Sequence, residues 1–318
     1  MPFSHLRIAT ALTCMAVNTK IVKTIANHIY LPLTKLINFC IEDAVFPDVF
    51  KVARIVPVYK RGPTDDPDSF RPISLLPLIG KVFEKILTSQ ICDYLVQNSV
   101  LNESQFGFQK GKSTVSAINN LLNYIHDSLD SKLIAGALFC DLSRAFDCVS
   151  HGLLLSKLKY CGFSDHGVKL MCSYLTGRTQ FVSLHGVSSD TVSINSGVPQ
   201  GSVLGPILFL IYVNDLAYCL PGSVGLTLYA DDTTLVVRES DCARLSDGVC
   251  EARLRMEDWF AANQLCLNAA KSETMVFSHN ATYVENKQVK FLGVVLDPKL
   301  NWNAHVDLIS SKEYILVA

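Results

Sequence analysis

Two adjacent acids, Asp231 and Asp232, interrupt an apolar and β-branched run, VGLTLYADDTTLVVRE, over residues 224–239. Val, Leu, Thr and Tyr on either side of Asp-Asp read as a β-hairpin with the acids at its turn. Two carboxylates beside a buried strand are costly to desolvate, so the pattern points to a bound cation. A solvated turn in which Asp favours the bend accounts for these four residues about equally well. A further acid, Asp141, ends the apolar run LIAGALFC ninety positions earlier. If the two runs are neighbours in one sheet, three carboxylates converge. Asp147, by contrast, reads as a local cap or hydrogen-bonding group near His151.

Three loops carry the remaining chemistry. Lys60 and Arg71 flank the turn-rich segment RGPTDDPDSF. A guanidinium and an ammonium there suit a cationic clamp for phosphates, though a solvated loop with incidental charge is the plainer reading. The segment QFGFQKGKST, residues 105–114, is punctuated by glycine but lacks the spacing of a phosphate loop. Its two Phe and two Lys could stack a base and hold a backbone, or could pack the loop on the core. Gly197-Val198-Pro199-Gln200-Gly201 is rigid at Pro199 and permissive at its glycines, so Gln200 could meet a ligand closely.

These residues need a scaffold, and the chain has the means to build one. It has 318 residues, 49% hydrophobic and 18% charged, enough for one large or two modest domains with a real core. Residues 20–45 alternate helically, with Pro32 expected to bend or break them. A strand is expected over 51–60 and helices over about 80–96 and 116–129. The run ending at Asp141 is a buried strand. Two helices broken at Gly162 are expected in 152–177, and a strand hairpin over 180–186 and 190–197. The helix after Gly201 is almost wholly apolar and therefore buried. Residues 242–264 read as an amphipathic helix. Strands are expected within 265–278 and as a single run over 289–297, before a final helical start.

Apolar runs are too short to span a bilayer, so no membrane role is expected. The N-terminus faintly resembles a signal peptide and is read as a helix or frayed leader. Eleven cysteines with no C-x-x-C pair argue against zinc and a disulfide framework, and for a reducing intracellular compartment, cytoplasm or nucleus. Net charge is −1, low for a nucleic-acid protein, although residues 51–112 hold nine Lys/Arg against six Asp/Glu.

Taken in order, PVYK with RPISLLP, QFGF, FCDLSRAFDCVSH, GVPQGSVLGP, YADD, LNAAKSE and KFLGVVLD resemble the reverse transcriptase domain of non-LTR retrotransposons, jockey-type mobile elements in particular. The resemblance covers about residues 20–305. It implies an α+β, right-hand polymerase fold with an antiparallel palm sheet backed by helices. It places a helical leader at 1–39 and the reverse transcriptase domain at 40–297. Within that domain, fingers fall at about 40–132 plus 152–200, and palm at about 133–151 plus 201–297. A truncated start of a thumb would occupy 298–318, leaving the thumb largely absent.

Position by position, the resemblance makes Asp141, Asp231 and Asp232 the metal-binding catalytic acids and the Leu142 carbonyl a backbone ligand. Two Mg²⁺ ions are implied, with Mn²⁺ as a substitute, because phosphoryl transfer needs hard oxygen ligands and charge neutralisation. Lys60 and Arg71 would hold the triphosphate of a dNTP. Gln200 and Gly201 would lie by the nucleotide sugar and template base. Phe146 would exclude a 2′-hydroxyl. Lys271 is a possible general acid for pyrophosphate, and Phe291-Leu292-Gly293 would support the primer end. The implied partners are an RNA template and a DNA primer. Elements of this family also carry an endonuclease domain and a complete thumb, so the chain reads as a truncated product with weak, salt-sensitive grip on a hybrid. The alternatives are an inactive retroelement remnant and a nucleic-acid-binding module. An RNA-dependent RNA polymerase is disfavoured by Phe146 and Ala230.

Overall fold

The computed structural model of the chain describes residues 19–184, 186–268, 271–280, 283 and 287–316. Residues 1–18, the first part of the expected leader, lie outside the described residues. The first elements are α1 (Thr19–Glu42), β1 (Val52–Tyr59), β2 (Phe70–Leu75), α2 (Leu78–Gln97) and α3 (Thr114–Asp130). Next come β3 (Ile134–Cys140), β4 (Leu142–Ser143), α4 (His151–Tyr160), α5 (Asp165–Leu175), β5 (Arg178–Leu184), β6 (Val187–Ser188), β7 (Val192–Ile194) and α6 (Gly205–Val213). The remainder are β8 (Gly225–Tyr229), β9 (Asp232–Glu239), α7 (Cys242–Ala262), β10 (Cys266–Leu267), β11 (Glu273–Phe277), β12 (Val289–Phe291), β13 (Val294–Leu296) and α8 (Asn303–Leu316). By compactness the chain divides into Met1–Val100 with Phe146–Tyr212, and Leu101–Ala145 with Val213–Ala318.

In the second unit, β3 is apolar at every position and buried at every position. A continuous apolar strand needs cover on both faces. Alternate residues Ala135, Ala137 and Phe139 pack with Leu121 and Ile125 of α3 and with Phe291. Gly136 points the other way, where an added Cβ would lie 3.0 Å from Val249 and 3.2 Å from Leu245 of α7. The missing side chain lets that helix close on the sheet. The strand order is β11-β3-β9-β8, and every pairing is antiparallel.

The first unit has its own sheet, β2-β1-β5-β6, with β7 also paired to β5. The β1–β5 pairing is parallel and the β1–β2 pairing antiparallel. Beside it Phe46 stacks on Phe83 at 5.2 Å and meets the Tyr174 ring edge-on at 5.0 Å.

The structure narrows one local expectation, since Pro32 does not break its helix, and corrects another. Helix α1 runs on through Pro32 to Glu42. The ring removes one backbone hydrogen bond, and a 24-residue helix carries enough others to continue. Residues 289–297, expected as one strand, form a hairpin, with Phe291 opposite Val294. Leu292 (φ 46°) and Gly293 (φ 94°) make its turn. A two-residue hairpin turn wants positive φ at both central positions, and the apolar lettering around a single glycine hid it.

Candidate active site

The hairpin expected at the acids is present. Tyr229 pairs with Asp232 as the last rung of β8 and β9, so Ala230 and Asp231 form the turn. Ala230 takes a left-handed φ of 57°. On the other side of β9, the last rung with β3 is Cys140 opposite Thr233. Asp141 follows Cys140 and Asp232 precedes Thr233, so both acids stand at that end of the sheet, with Asp231 in the turn.

The carboxylate of Asp141 is not left to itself. Lys271 Nζ lies 3.2 Å from its Oδ2, both side chains being partly exposed. The Asp141 carbonyl accepts a hydrogen bond from Asn268 N at 2.9 Å. Leu142 is buried and begins β4, which pairs with β10 through Leu142–Leu267 and Ser143–Cys266. Before the acid, burial pushes the Cys140 thiol up to about 12, against the opposing pull of the Arg253 guanidinium. Among the described residues, no three His, Cys, Asp or Glu side chains gather into a ready-made ion cage. The β3–β9 register brings Asp141 and Asp232 to the same end of the sheet, and Lys271 takes one of the Asp141 oxygens. This donor set fits a hard divalent cation that keeps water or phosphate oxygens of its own, as Mg²⁺ does with one or two carboxylates.

Phe291 is buried and tilts against Phe139 of β3 at 5.7 Å. The Leu292-Gly293 turn is thereby anchored to the same sheet as Asp141.

The first unit gathers the other expected residues. By the β1–β2 register, Val58 faces Arg71, and Lys60 lies two residues past Val58 on the same side. Lys60 and Arg71 are therefore diagonal neighbours, and both are exposed. The Gly197–Gly201 loop is held at both ends. Gln200 O accepts from Ser74 N of β2 at 2.7 Å. Gln200 Nε2 donates to Asp147 Oδ1 at 3.1 Å. A Cβ on Gly201 (φ 117°) would strike Ser74 O at 2.7 Å. Asp147, expected as a local cap or hydrogen-bonding group near His151, accepts from Gln200, and His151 Nε2 bonds the Gly197 carbonyl at 2.8 Å. Phe146 stacks on Phe209 at 4.7 Å, so one face of its ring is backed by the core.

A pocket of about 440 Å³ opens beside this loop, lined by Pro72, Ser74, Asp147, Arg178, Gln180 and Gln200 among others. Behind the loop, Glu84 of α2 accepts from Val203 N at 2.6 Å and Leu204 N at 3.1 Å, just before α6. Burial raises its carboxyl above the usual range, while those N–H groups and the Arg178 guanidinium pull it down. Nothing in the local lettering marked Glu84 or the Asp147–Gln200 tether, because each partner lies 53 or more positions away.

The architecture has solved counterparts. Apo telomerase from Candida tropicalis truncated from its C-terminal domain superposes with a TM-score of 0.58 at 14% identity, over 87% of this chain and 59% of that one. Telomerase from Candida albicans in complex with a fragment of telomeric RNA gives a TM-score of 0.56 at 15% identity, over 78% and 45%. The fold is that of the fingers and palm of a right-hand polymerase. Residues 58–296 match the family described as reverse transcriptase (RNA-dependent DNA polymerase), and the chain belongs to that family. Reverse transcriptases as a family use divalent metal ions.

Among curated relatives, the chain is 32% identical over 305 residues to the probable RNA-directed DNA polymerase from transposon X-element of Drosophila melanogaster, covering 91% of this chain and 34% of that protein. It is 30% identical over 292 residues to the RNA-directed DNA polymerase from mobile element jockey of the same species, covering 86% and 32%. The chain thus spans about a third of the length of these relatives. No helix among the described residues is long and apolar enough to cross a membrane.

Proposed function

We propose that the chain carries the fingers and palm of an RNA-directed DNA polymerase of a non-LTR mobile element, adding dNTPs to the 3′ end of a DNA primer on an RNA template. The observation that supports this reading is the β3–β9 register, which brings the ends of the strands next to Asp141 and Asp232 together in a chain of the reverse transcriptase family. In functional terms the fingers are about 40–132 plus 152–200, and the palm about 133–151 plus 201–297.

Asp141, Asp231, Asp232 and the Leu142 carbonyl hold two Mg²⁺ ions, for which Mn²⁺ can substitute. When bound, such ions acidify the primer hydroxyl and neutralise charge on the leaving pyrophosphate. Lys60 and Arg71, side by side on one hairpin, hold the triphosphate by charge and by the fixed guanidinium fork. Phe146 is assigned the exclusion of a 2′-hydroxyl, a role supported by the backing its ring receives from Phe209. Gln200, pinned between Asp147 and Ser74, faces the sugar and template base with Gly201. Lys271 delivers a proton to pyrophosphate, and Phe291-Leu292-Gly293 supports the primer end.

The test is extension of a DNA primer on an RNA template by the purified chain with dNTPs and Mg²⁺. Asp231→Ala is expected to lower the rate at least about 100-fold, the loss of several kcal/mol of transition-state stabilisation. A wild-type chain with no Asp231-dependent extension would overturn the proposal.

A further inference from the structure

The glycine-punctuated segment after α2 makes backbone contacts to the acid-bearing hairpin. Residues 104–106 run parallel to β8: Phe106 N donates to Leu228 O, and Leu228 N to Ser104 O, each at 2.8 Å. Gln105 sits between them, 1% exposed. Its Oε1 accepts two backbone N–H groups, Gly107 at 2.8 Å and Ala230 at 3.1 Å. Two donors aimed at one atom identify that atom as the amide oxygen.

Gly107 completes the contact. A Cβ there would lie 2.4 Å from Ala230 N and 3.0 Å from Ala230 Cα, so the approach needs glycine. The clamp is itself bolted down. The Gln105 carbonyl accepts from Gln109 Nε2 at 2.6 Å and Lys112 Nζ at 2.7 Å. Lys112 also reaches the Glu103 carbonyl at 2.7 Å and lies 4.8 Å over the Phe106 ring.

Ala230 holds the middle of the acid-bearing turn in a left-handed conformation that L residues with a Cβ disfavour, and its backbone is buried. Such a residue stays put only when its surroundings over-determine it. Without Gln105 its N–H would be a buried donor with no acceptor. We infer that Gln105 is a positioning residue, whose amide oxygen locks the Tyr229–Asp232 turn in the one conformation that presents Asp231 and Asp232. This rests on the proposed role of those acids. The Gln105 Nε2 has no hydrogen-bond partner among the described residues. A glutamate would therefore keep the accepting oxygen and sacrifice no bond, whereas leucine would remove the acceptor at similar size.

The experiment uses the whole chain as wild type, Q105E, Q105L and D231N. Amide-resolved hydrogen exchange and Mn²⁺ binding by electron paramagnetic resonance are read separately from activity. In the wild type the Ala230 amide should be as protected as those of β3. Q105L should speed exchange at 230–232 at least about tenfold with β3 unchanged, and weaken Mn²⁺ binding by roughly 10–100-fold, the usual effect of losing an orienting partner. Q105E, compared at a mildly acidic pH where burial keeps its carboxyl neutral, should stay within about threefold of wild type, because the acceptor is kept. Rapid exchange of Ala230 in the wild type, an unaltered Q105L, or a Q105E as damaged as Q105L would each overturn the inference. Should Q105L not fold, the wild-type protection and the Q105E values decide it. If D231N binds Mn²⁺ like wild type, the metal reading of the acids fails, and exchange at Ala230 still judges Gln105 independently.

Discussion

Lys271 and Asp141 show how little an ion pair says until its setting is known. Both side chains are partly exposed at 3.2 Å, and such pairs contribute about 0–1 kcal/mol. Lys271→Ala should therefore leave the melting temperature within about 2 °C of wild type. A general acid contributes roughly 10²–10⁴-fold to rate, so the same variant should lower kcat at least about tenfold. Steady-state extension with saturating dNTP separates the two; an unchanged kcat would reduce Lys271 to an ordinary surface partner. Cys140, next in the chain to Asp141, gives a different forecast. Its thiol, pushed up to about 12 by burial, carries almost no thiolate at neutral pH. Peptide mapping after brief maleimide treatment of the native chain should find the exposed Cys250 and Cys266 labelled and Cys140 intact. Labelling of Cys140 at a comparable rate would show that the end of β3 opens to solvent.

At the scale of elements, the α2–α6 contact depends on one carboxylate. Glu84 offers its oxygen to one buried and one partly buried N–H group just before α6, and leaving the buried donor orphaned costs about 1–3 kcal/mol. Because burial raises its carboxyl, the folded protein holds that proton more tightly than the unfolded chain does. Its contribution to stability is full below the ordinary value of 4.5 and declines as pH rises through the higher folded value. Glu84→Gln keeps an acceptor but does not titrate. Urea midpoints between about pH 4 and about pH 8 should show the wild type losing ground to the variant as pH rises. Parallel curves would mean that the carboxyl is not burdened by its burial. The helices and strands themselves were readable from periodicity, and α2, α3, α7 and the β8–β9 hairpin lie where the lettering puts them. The β12–β13 hairpin was not readable: a two-residue turn inside VKFLGVVLD leaves no polar punctuation to mark it.

Across the whole molecule, each compact unit is assembled from separated stretches of chain. Strand β3, buried along its full length, pairs only with β9 and β11 among the described residues. Both partners come from after Tyr212. A chain ending at Tyr212 would leave β3 with two open edges of backbone donors and acceptors and no partner on either side. Such a truncation should give aggregated material without a cooperative melt over residues 101–145, judged by gel filtration and circular dichroism. A monodisperse, cooperatively melting fragment would show that α3 and β3 hold together without their neighbours. Long-range pairing of this kind also predicts slow folding, because loop closure precedes the contacts that reward it.

What the lettering alone determined was local or compositional. Periods of two and 3.6 placed the elements, the acid, lysine and glycine types named the chemistry, and the ordered blocks identified the family. The tertiary structure decided which of these residues meet. Asp141 and Asp232 come to one end of the sheet only through the β3–β9 register, Asp147 bonds Gln200, and Phe146 stacks on Phe209. Gln105, read as part of a base-stacking or packing loop, was found holding Ala230 across 125 positions of sequence. The physical reason is that periodicity records which face of an element is buried, whereas a hydrogen bond between distant segments depends on strand register and close approach, and neither leaves a trace in the neighbouring residues.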